Sequence, residues 1–125
     1  MLEIHFKKHY PSKFMVTEEA IRNFADEIAR RYVPEKIILF GSYARGTAND
    51  DSDVDMLVMM NFEGRGIRKA VEILTSIEHR FPLDLLVRRE EDVAWRIKEN
   101  DFFLQDVMKE GKVLYAATGF PRSRE

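Results

Sequence analysis

The sequence predicts an α/β or α+β fold in which a small mixed β-sheet is flanked by helices. Segments with apolar residues at helical spacing alternate along the chain with short apolar runs of strand character. Their order is helix, strand, turn, strand, helix, strand, helix, without an internal repeat or a linker. Because 125 residues suffice to bury a core, we predict one domain over residues 1–125, with loosely ordered ends at 1–16 and 116–125.

The first predicted helix and strand lead to a glycine turn. Thr17 is a good N-cap, acidic residues follow it, and apolar side chains recur at helical spacing until Pro34 ends the pattern. The run KIILF, residues 36–40, is too apolar for an edge strand with a wet face, so we predict a central strand. Gly41 stops this strand, YARG suits one short helical turn, and TANDDS is typical of a loop.

The second predicted strand carries an acidic motif. It is DVDMLVMM, residues 53–60, and the two glycines of NFEGRG mark a loop after it. Apolar residues at helical spacing then predict a helix over 66–80. Pro82 starts the third strand, LDLLV at 83–87, where its missing backbone donor removes no ladder hydrogen bond.

The C-terminal part is predicted to be helical over 91–109, with a break near Asn100 and Gly111 at the place of a C-terminal cap. KVLY after this glycine is a candidate final strand. Trp95 is predicted to be core packing or a contact surface. We predict that the cluster FFL, residues 102–104, belongs to the core rather than to a base-stacking platform, and the alternative is a partner interface.

Composition and charge exclude several classes of function. The chain is 45% hydrophobic and 34% charged, which is typical of a globular protein. No apolar run approaches the roughly 18 residues that span a bilayer, and the start MLEIHFKKHY lacks a signal peptide's apolar core. We therefore predict a cytoplasmic protein without membrane contact. The net charge of -2 argues against direct nucleic-acid binding, and the lack of cysteine excludes disulfides and thiolate metal sites.

Three aspartates are candidate metal ligands. In a strand, Asp53 and Asp55 project from the same face, and two adjacent carboxylates need a cation such as Mg²⁺. Asp84 is similarly embedded in the apolar third strand, so the three acids converge if these strands are neighbours. The alternatives are loop-end solvation or a cap at the strand entry for the first two acids, and for Asp84 a salt bridge to Arg88 or Arg89.

Gly41 and Ser42 are candidate phosphate ligands. A glycine directly after a buried strand permits close approach of a ligand, and the amides of the next turn can bind an anion. Ser42 adds a hydroxyl, and Arg45 adds a planar guanidinium suited to phosphate. The alternative is a plain strand-to-helix turn, so the prediction depends on the acidic strand that follows.

Two aspartates beside the acidic motif and the three histidines of the chain are predicted to be solvated. Asp50 and Asp51 precede the acidic strand and add negative potential that attracts a cation. His5 and His9 are four residues apart but enclose two lysines and no acidic residue, and His79 is far from both in the sequence. We therefore expect these histidines at the surface.

The segment GSYARGTANDDSDVDMLV resembles the motif of the DNA polymerase beta-like nucleotidyltransferase superfamily, in which a GS turn precedes a DxD strand and a later strand supplies a third acid. The short chain and the wording GSxARG…SDxDxxV are similar to the minimal nucleotidyltransferases, the MNT proteins of bacteria and archaea. The resemblance extends from Lys36 through Asp84, and EGKVLY resembles the family's usual end.

This resemblance implies that ATP binds through its triphosphate at Gly41 and Ser42. It implies that Asp53 and Asp55 hold a metal that bridges the phosphates. Asp84 would bind a second Mg²⁺ and help to activate an acceptor hydroxyl for attack on the α-phosphorus, with pyrophosphate leaving. This agrees with the physical demands of phosphoryl-type transfer, which depends on positioning and charge neutralisation.

The resemblance also implies a partner, because MNT proteins act as antitoxins of HEPN toxins, in some cases by transferring AMP to a tyrosine of the toxin (AMPylation). A chain this short has little room for its own acceptor-binding domain. Two alternatives are a non-catalytic antitoxin that neutralises its partner by binding, and a nucleotidyltransferase that acts on a small molecule. The nucleotide, the acceptor residue and self-association into a homo-oligomer stay open.

Overall fold

The computed structural model describes residues 4–6 and 15–117. No helix in these ranges is long and apolar enough to cross a bilayer. The elements are β1 (Ile4–Phe6), α1 (Glu18–Tyr32), β2 (Lys36–Phe40), α2 (Ser42–Arg45), β3 (Val54–Met59), α3 (Gly66–Ser76), β4 (Leu83–Arg88), α4 (Glu90–Lys98), α5 (Phe102–Glu110) and β5 (Lys112–Ala116).

The strands form one mixed sheet in the order β1-β4-β3-β2-β5. Strands β3 and β4 pair in parallel, whereas the other three neighbouring pairs are antiparallel. Helix α3 makes the crossover that a parallel pair requires. The predicted α/β fold with a mixed sheet is confirmed, and the central position of KIILF as β2 is confirmed with it.

Helices cover both faces of the sheet. The back face packs against α1 and α3 in a core that includes Ile28, Ile37, Met56, Ile73 and Leu85. The front face packs against α4 and α5 in a second core of Ile38, Phe40, Leu57, Met59, Leu86, Val93, Leu104 and Val107. Because successive strand residues face opposite sides, burial on both faces explains why the central strands read as continuous apolar runs.

Helix α1 begins and ends as its sequence predicts. The Thr17 side chain accepts a hydrogen bond from the Ala20 amide at 3.0 Å, which satisfies one amide of the first turn. The helix ends at Tyr32, before Val33 adopts a left-handed conformation with φ 45°. On its exposed surface, hydrogen bonds from Arg30 and Arg31 hold the pKa of Glu27 below its usual range.

Helix α3 is shorter than predicted, because it ends at Ser76 instead of continuing to residue 80. The Thr75 and Ser76 hydroxyls donate to backbone carbonyls of the last turn, an interaction that competes with helix continuation. From Ile77 to Phe81 buried and exposed side chains then alternate. This period of two is typical of extended chain, so the last predicted helical turn is an extended lead into β4.

His79 lies in this extended segment and is buried, so its predicted surface position is wrong. Its side chain is 5% exposed. The imidazole packs edge-on between Phe24 and Phe81, with ring centroids 5.4 Å and 5.9 Å away. The side chain of His5 and the whole of His9 lie outside the described residues.

The C-terminal helices confirm the predicted break. Asn100 has φ 68°, and the Asp101 side chain caps α5 by accepting from the Leu104 amide at 3.0 Å. Gly111 follows α5 as predicted, but its φ of -73° is open to any residue. A Cβ there would lie 2.4 Å from Ile38 Cγ2, so close packing on the sheet requires the glycine.

The predicted core cluster at 102–104 is only partly buried. Leu104 is fully buried, but Phe102 is 71% exposed and Phe103 is 43% exposed. Trp95 is 61% exposed, which leaves the contact-surface alternative for that residue. The sequence pattern thus identified the helix and misassigned two aromatic side chains at its start.

The two ends contain more regular structure than predicted. Residues 4–6 form β1, an edge strand on β4, although the sequence predicts a loose extension over 1–16. Ala116 is the last residue of β5. Residues 15–16 and 117 lie outside helices and strands, and residues 1–3, 7–14 and 118–125 of the predicted loose ends lie outside the described residues.

Candidate functional site

Asp55 and Asp84 are direct partners across the parallel β3–β4 pair. Phe40 is the partner of Asp55 on the other side, across the antiparallel β2–β3 pair. Partners in a sheet share a face, and neighbouring strands are about 4.8 Å apart. The register therefore aligns Phe40, Asp55 and Asp84 in one row across the front face.

Asp53 lies one residue before β3, which begins at Val54 rather than at the predicted residue 53. The Val54 amide still donates to the Pro82 carbonyl at 2.9 Å, so the chain follows β4 at this point. Val54 and Met56 are fully buried, whereas Asp53 and Asp55 are half-buried. This alternation fits two carboxylates on the same side of the chain.

The glycine turn packs directly against Asp55. Gly41 has φ 75° and ψ -156°, a backbone conformation that residues other than glycine rarely adopt. A Cβ on Gly41 would lie 2.1 Å from the Asp55 Oδ2 and 3.0 Å from its Cγ. The space beside this glycine, where the sequence predicts the close approach of a ligand, is therefore occupied by the Asp55 carboxylate. The glycine turn and the acidic strand thus form one site.

Helix α2 is held in a fixed position after Gly41. The Gly41 carbonyl accepts hydrogen bonds from the Ala44 and Arg45 amides at 3.1 Å and 3.0 Å. Helix geometry leaves the amides of Ser42 and Tyr43 outside these bonds. The Tyr43 hydroxyl accepts from the Val16 amide at 2.9 Å, which ties the turn to the segment before α1.

The other candidate residues near the turn are partly or fully exposed to solvent. Ser42 is half-buried and Arg45 is exposed in the last turn of α2. Asp50 and Asp51 are both exposed, in agreement with their predicted solvation. The Asn49 side chain accepts from the Asp51 amide at 2.8 Å and organises this loop.

The two arginines offered as partners for Asp84 have other contacts. Arg89 donates to the Phe62 and Gly64 carbonyls at 3.1 Å and 2.7 Å, and its guanidinium lies 4.3 Å from the Phe62 ring centroid. Arg88 donates to the Val87 carbonyl at 3.0 Å. It occupies the opposite end of β4 from Asp84, about 13 Å away along an extended strand. Arg89 thus anchors the glycine loop after β3.

The donor set of Asp53, Asp55 and Asp84 fits a hard divalent cation. All the donors are carboxylate oxygens from β3, the residue before β3, and β4, and the missing Cβ of Gly41 lets Asp55 pack against the turn. Across residues 15–117, no three acidic or histidine side chains are already gathered closely enough to hold a metal. The chemistry of the donors fits Mg²⁺, and their side chains are not closed around an ion.

An aromatic pair that sequence reasoning missed flanks the acidic residues. Phe40 is 8% exposed, and the Phe103 ring packs edge-on against it with centroids 5.6 Å apart and planes at 83°. The period of two along KIILF places Phe40 on one face. Only the strand register shows that this face also carries Asp55.

A separate cavity of about 270 Å³ lies at the other end of β4. Its lining includes Phe62, Arg88, Arg89, Trp95 and Arg96. Neither the three candidate aspartates nor the turn at Gly41 and Ser42 contributes to its lining, so it is distinct from the site above.

Comparison with known sequences identifies the relatives of this chain. The sequence model of the family described as "Polymerase beta, Nucleotidyltransferase" matches residues 22–118. A protein of Methanocaldococcus jannaschii named "putative protein adenylyltransferase" is 31% identical over 103 residues, which is 81% of this chain and the whole of that protein. The match therefore includes the glycine turn and all three aspartates.

Two solved structures are similar to this chain. A crystal structure described as a "putative nucleotidyltransferase" from Sulfolobus solfataricus superposes with a TM-score of 0.57 and 21% identity, and covers 81% of each chain. This likeness concerns the fold. A crystal structure described as a toxin-antitoxin with AMP-PNP has a TM-score of 0.49 and 25% identity, and covers 76% of this chain and 73% of that chain.

Proposed function

Because the chain belongs to the polymerase beta family of nucleotidyltransferases, we propose that it transfers AMP from ATP to a hydroxyl of a partner protein. The observation that carries the proposal is the packing of Gly41 on Asp55, together with the Asp55–Asp84 register. The M. jannaschii relative, whose whole length this chain matches, is named for protein adenylyltransfer. Support for a protein acceptor comes from that name.

In this proposal the triphosphate of ATP binds at the glycine turn. Backbone amides at the start of α2 and the Ser42 hydroxyl donate to phosphate oxygens. Because Gly41 has no side chain, the Asp55 carboxylate packs directly against this turn, so a proposed metal ligand adjoins the phosphates. Arg45, exposed one helical turn later, supplies a positive charge to the outer phosphates.

The three aspartates act on the reacting phosphate and the acceptor. Asp53, Asp55 and Asp84 would hold two Mg²⁺ ions, which when bound neutralise phosphate charge. The acceptor hydroxyl oxygen forms a bond to the α-phosphorus as the bond from that phosphorus to the bridging oxygen breaks, so pyrophosphate leaves. Asp84 accepts the hydroxyl proton, and the strand pairing keeps it beside Asp55.

We propose a HEPN toxin as the partner, a tyrosine as the acceptor and the cytoplasm as the compartment. The support is the resemblance of GSxARG…SDxDxxV to the MNT antitoxins. The exposed Phe102 and Trp95 side chains favour a second candidate, in which the chain neutralises its partner by binding alone.

Labelling the partner with radioactive ATP tests the proposal. The chain is incubated with ATP labelled on the α-phosphate, Mg²⁺ and the neighbouring gene product. We expect label on the partner, loss of label with EDTA, and loss in an Asp55→Asn variant. Asp50→Asn, which changes an exposed loop carboxylate, is the matched control and should label normally. Full neutralisation of the partner by Asp55→Asn without any labelling would support the binding-only candidate instead.

A further inference from the structure

The partly exposed ring of Phe103 packs on Phe40, which adjoins the proposed phosphate and metal residues. Phe40 is the strand partner of Asp55 and directly precedes Gly41. Phe103 contacts Phe40 from α5, with ring centroids 5.6 Å apart. A single aromatic ring therefore separates Phe103 from both the acidic row and the phosphate turn.

The position of Phe103 is suited to a flat apolar ligand. Its edge-on contact with Phe40, which is 8% exposed, fixes the orientation of the ring. At the same time 43% of Phe103 stays exposed. A ring that is held on one side and open on the other is a stacking platform, whereas an aromatic side chain that only fills the core is covered on both sides.

The base of a bound nucleotide is a flat ligand that can reach Phe103. With its phosphates at Gly41 and Ser42, its nucleoside must extend away from the turn along the surface. Phe40 and Phe103 are aromatic residues that the β2 register and α5 place next to the turn on the front face, whereas Tyr43 in the turn packs against the back-face core. Phe102, the neighbour of Phe103, is 71% exposed and packs less closely on the protein, so it offers a less rigid surface.

We propose that Phe103 stacks on the base of the bound nucleotide and is the base platform of the active site. This assignment rests on the proposed function, since it takes the phosphate position from it. Stacking uses the π-face that every base shares, so the platform strengthens nucleotide binding without selecting a base by hydrogen bonds. It also replaces the prediction that the cluster at 102–104 is core only.

The test compares an ATP analogue with inorganic triphosphate. The analogue carries a methylene group between the α- and β-phosphates, so no transfer occurs during titration. Calorimetry with Mg²⁺ present measures the binding of each ligand to the wild type and to Phe103→Ala, Phe103→Leu, Phe103→Trp and Phe102→Ala. The leucine variant keeps an apolar contact with Phe40 and removes the aromatic face. Thermal unfolding of each variant confirms that it is folded.

We expect Phe103→Ala and Phe103→Leu to bind the ATP analogue roughly tenfold more weakly, as is typical for loss of base stacking. Both should bind triphosphate like the wild type, and Phe103→Trp and Phe102→Ala should bind both ligands normally. Unchanged binding of the analogue by both the alanine and leucine variants would overturn the assignment, as would an equal loss for triphosphate. Wild-type protein that binds neither ligand would instead overturn the proposed function.

Discussion

Replacing Gly41 by alanine should abolish AMP transfer at a modest cost in stability. The backbone there, at φ 75° and ψ -156°, is nearly exclusive to glycine, so alanine should lower the free energy of unfolding by about 1–3 kcal/mol. The added Cβ would lie 2.1 Å from the Asp55 Oδ2. Because this oxygen ends a flexible side chain, the clash is relieved when the carboxylate turns away.

The loss of activity follows from that displacement. Moving the oxygen from 2.1 Å to an ordinary contact of at least 3.4 Å shifts it by more than 1 Å. A misplacement of about 1 Å at a reacting centre costs roughly 100-fold in rate. The rate of AMP transfer in the labelling assay should therefore fall by at least this factor.

Gly46→Ala is the matched control. Gly46 also has a positive φ, 79°, but a Cβ there meets nothing within 4 Å. Alanine in this left-handed conformation costs about 1–2 kcal/mol. Urea unfolding should show similar losses for both variants, whereas only Gly41→Ala should lose transfer. Equal transfer rates for the two variants would refute the assignment of Asp55 and the turn to one active site.

Three further substitutions test the site and the fold. Asp84→Asn should reduce AMP transfer roughly 100-fold or more, because it removes the proposed proton acceptor, with little change in the thermal midpoint. Asp101→Ala removes the cap that accepts from the Leu104 amide and should lower the free energy of urea unfolding by about 1 kcal/mol. Gly111→Ala should lower it by about 1–3 kcal/mol, because the Cβ would lie 2.4 Å from Ile38 Cγ2.

A control variant or a contradicting result is defined for each of these three substitutions. Asp50→Asn should leave transfer intact, and normal transfer by Asp84→Asn would remove that residue from the mechanism. Asp106→Ala changes an exposed acid within α5, so an equal loss in both helix variants would show that capping is not the cause. A Gly111→Ala protein as stable as the wild type would show that α5 moves off the sheet at no cost.

Sequence patterns predicted most helices and strands because the interactions that form them join residues close together in the sequence. The Thr17 cap, the apolar spacing of α1 and the break near Asn100 each depend on neighbouring residues. The end of α3 was mispredicted, since the apolar residues after Ser76 also suit an extended chain that packs Ile77, His79 and Phe81 into the core. Strand β1, three residues long, is too short for a periodic signal.

The geometry of the site depended on information that no local pattern contains. The sequence identified Asp55 and Asp84 as candidates, but their direct pairing requires β3 and β4 to be parallel neighbours in one register. The exposure of Phe102 and Phe103 depends on how α5 packs on the front face through Leu104. Both are consequences of tertiary packing.

The parallel pairing of β3 and β4 also determines when, during synthesis of the chain, Asp55 and Asp84 can come together. A nascent chain completes the glycine turn and Asp55 while Asp84 is still to be added, because α3 and the extended segment lie between them. Parallel pairing over such a separation forms later in folding than hairpin contacts do. A chain released before β4 is made therefore contains the glycine turn, Asp53 and Asp55 but not Asp84, so it lacks one of the three proposed metal ligands.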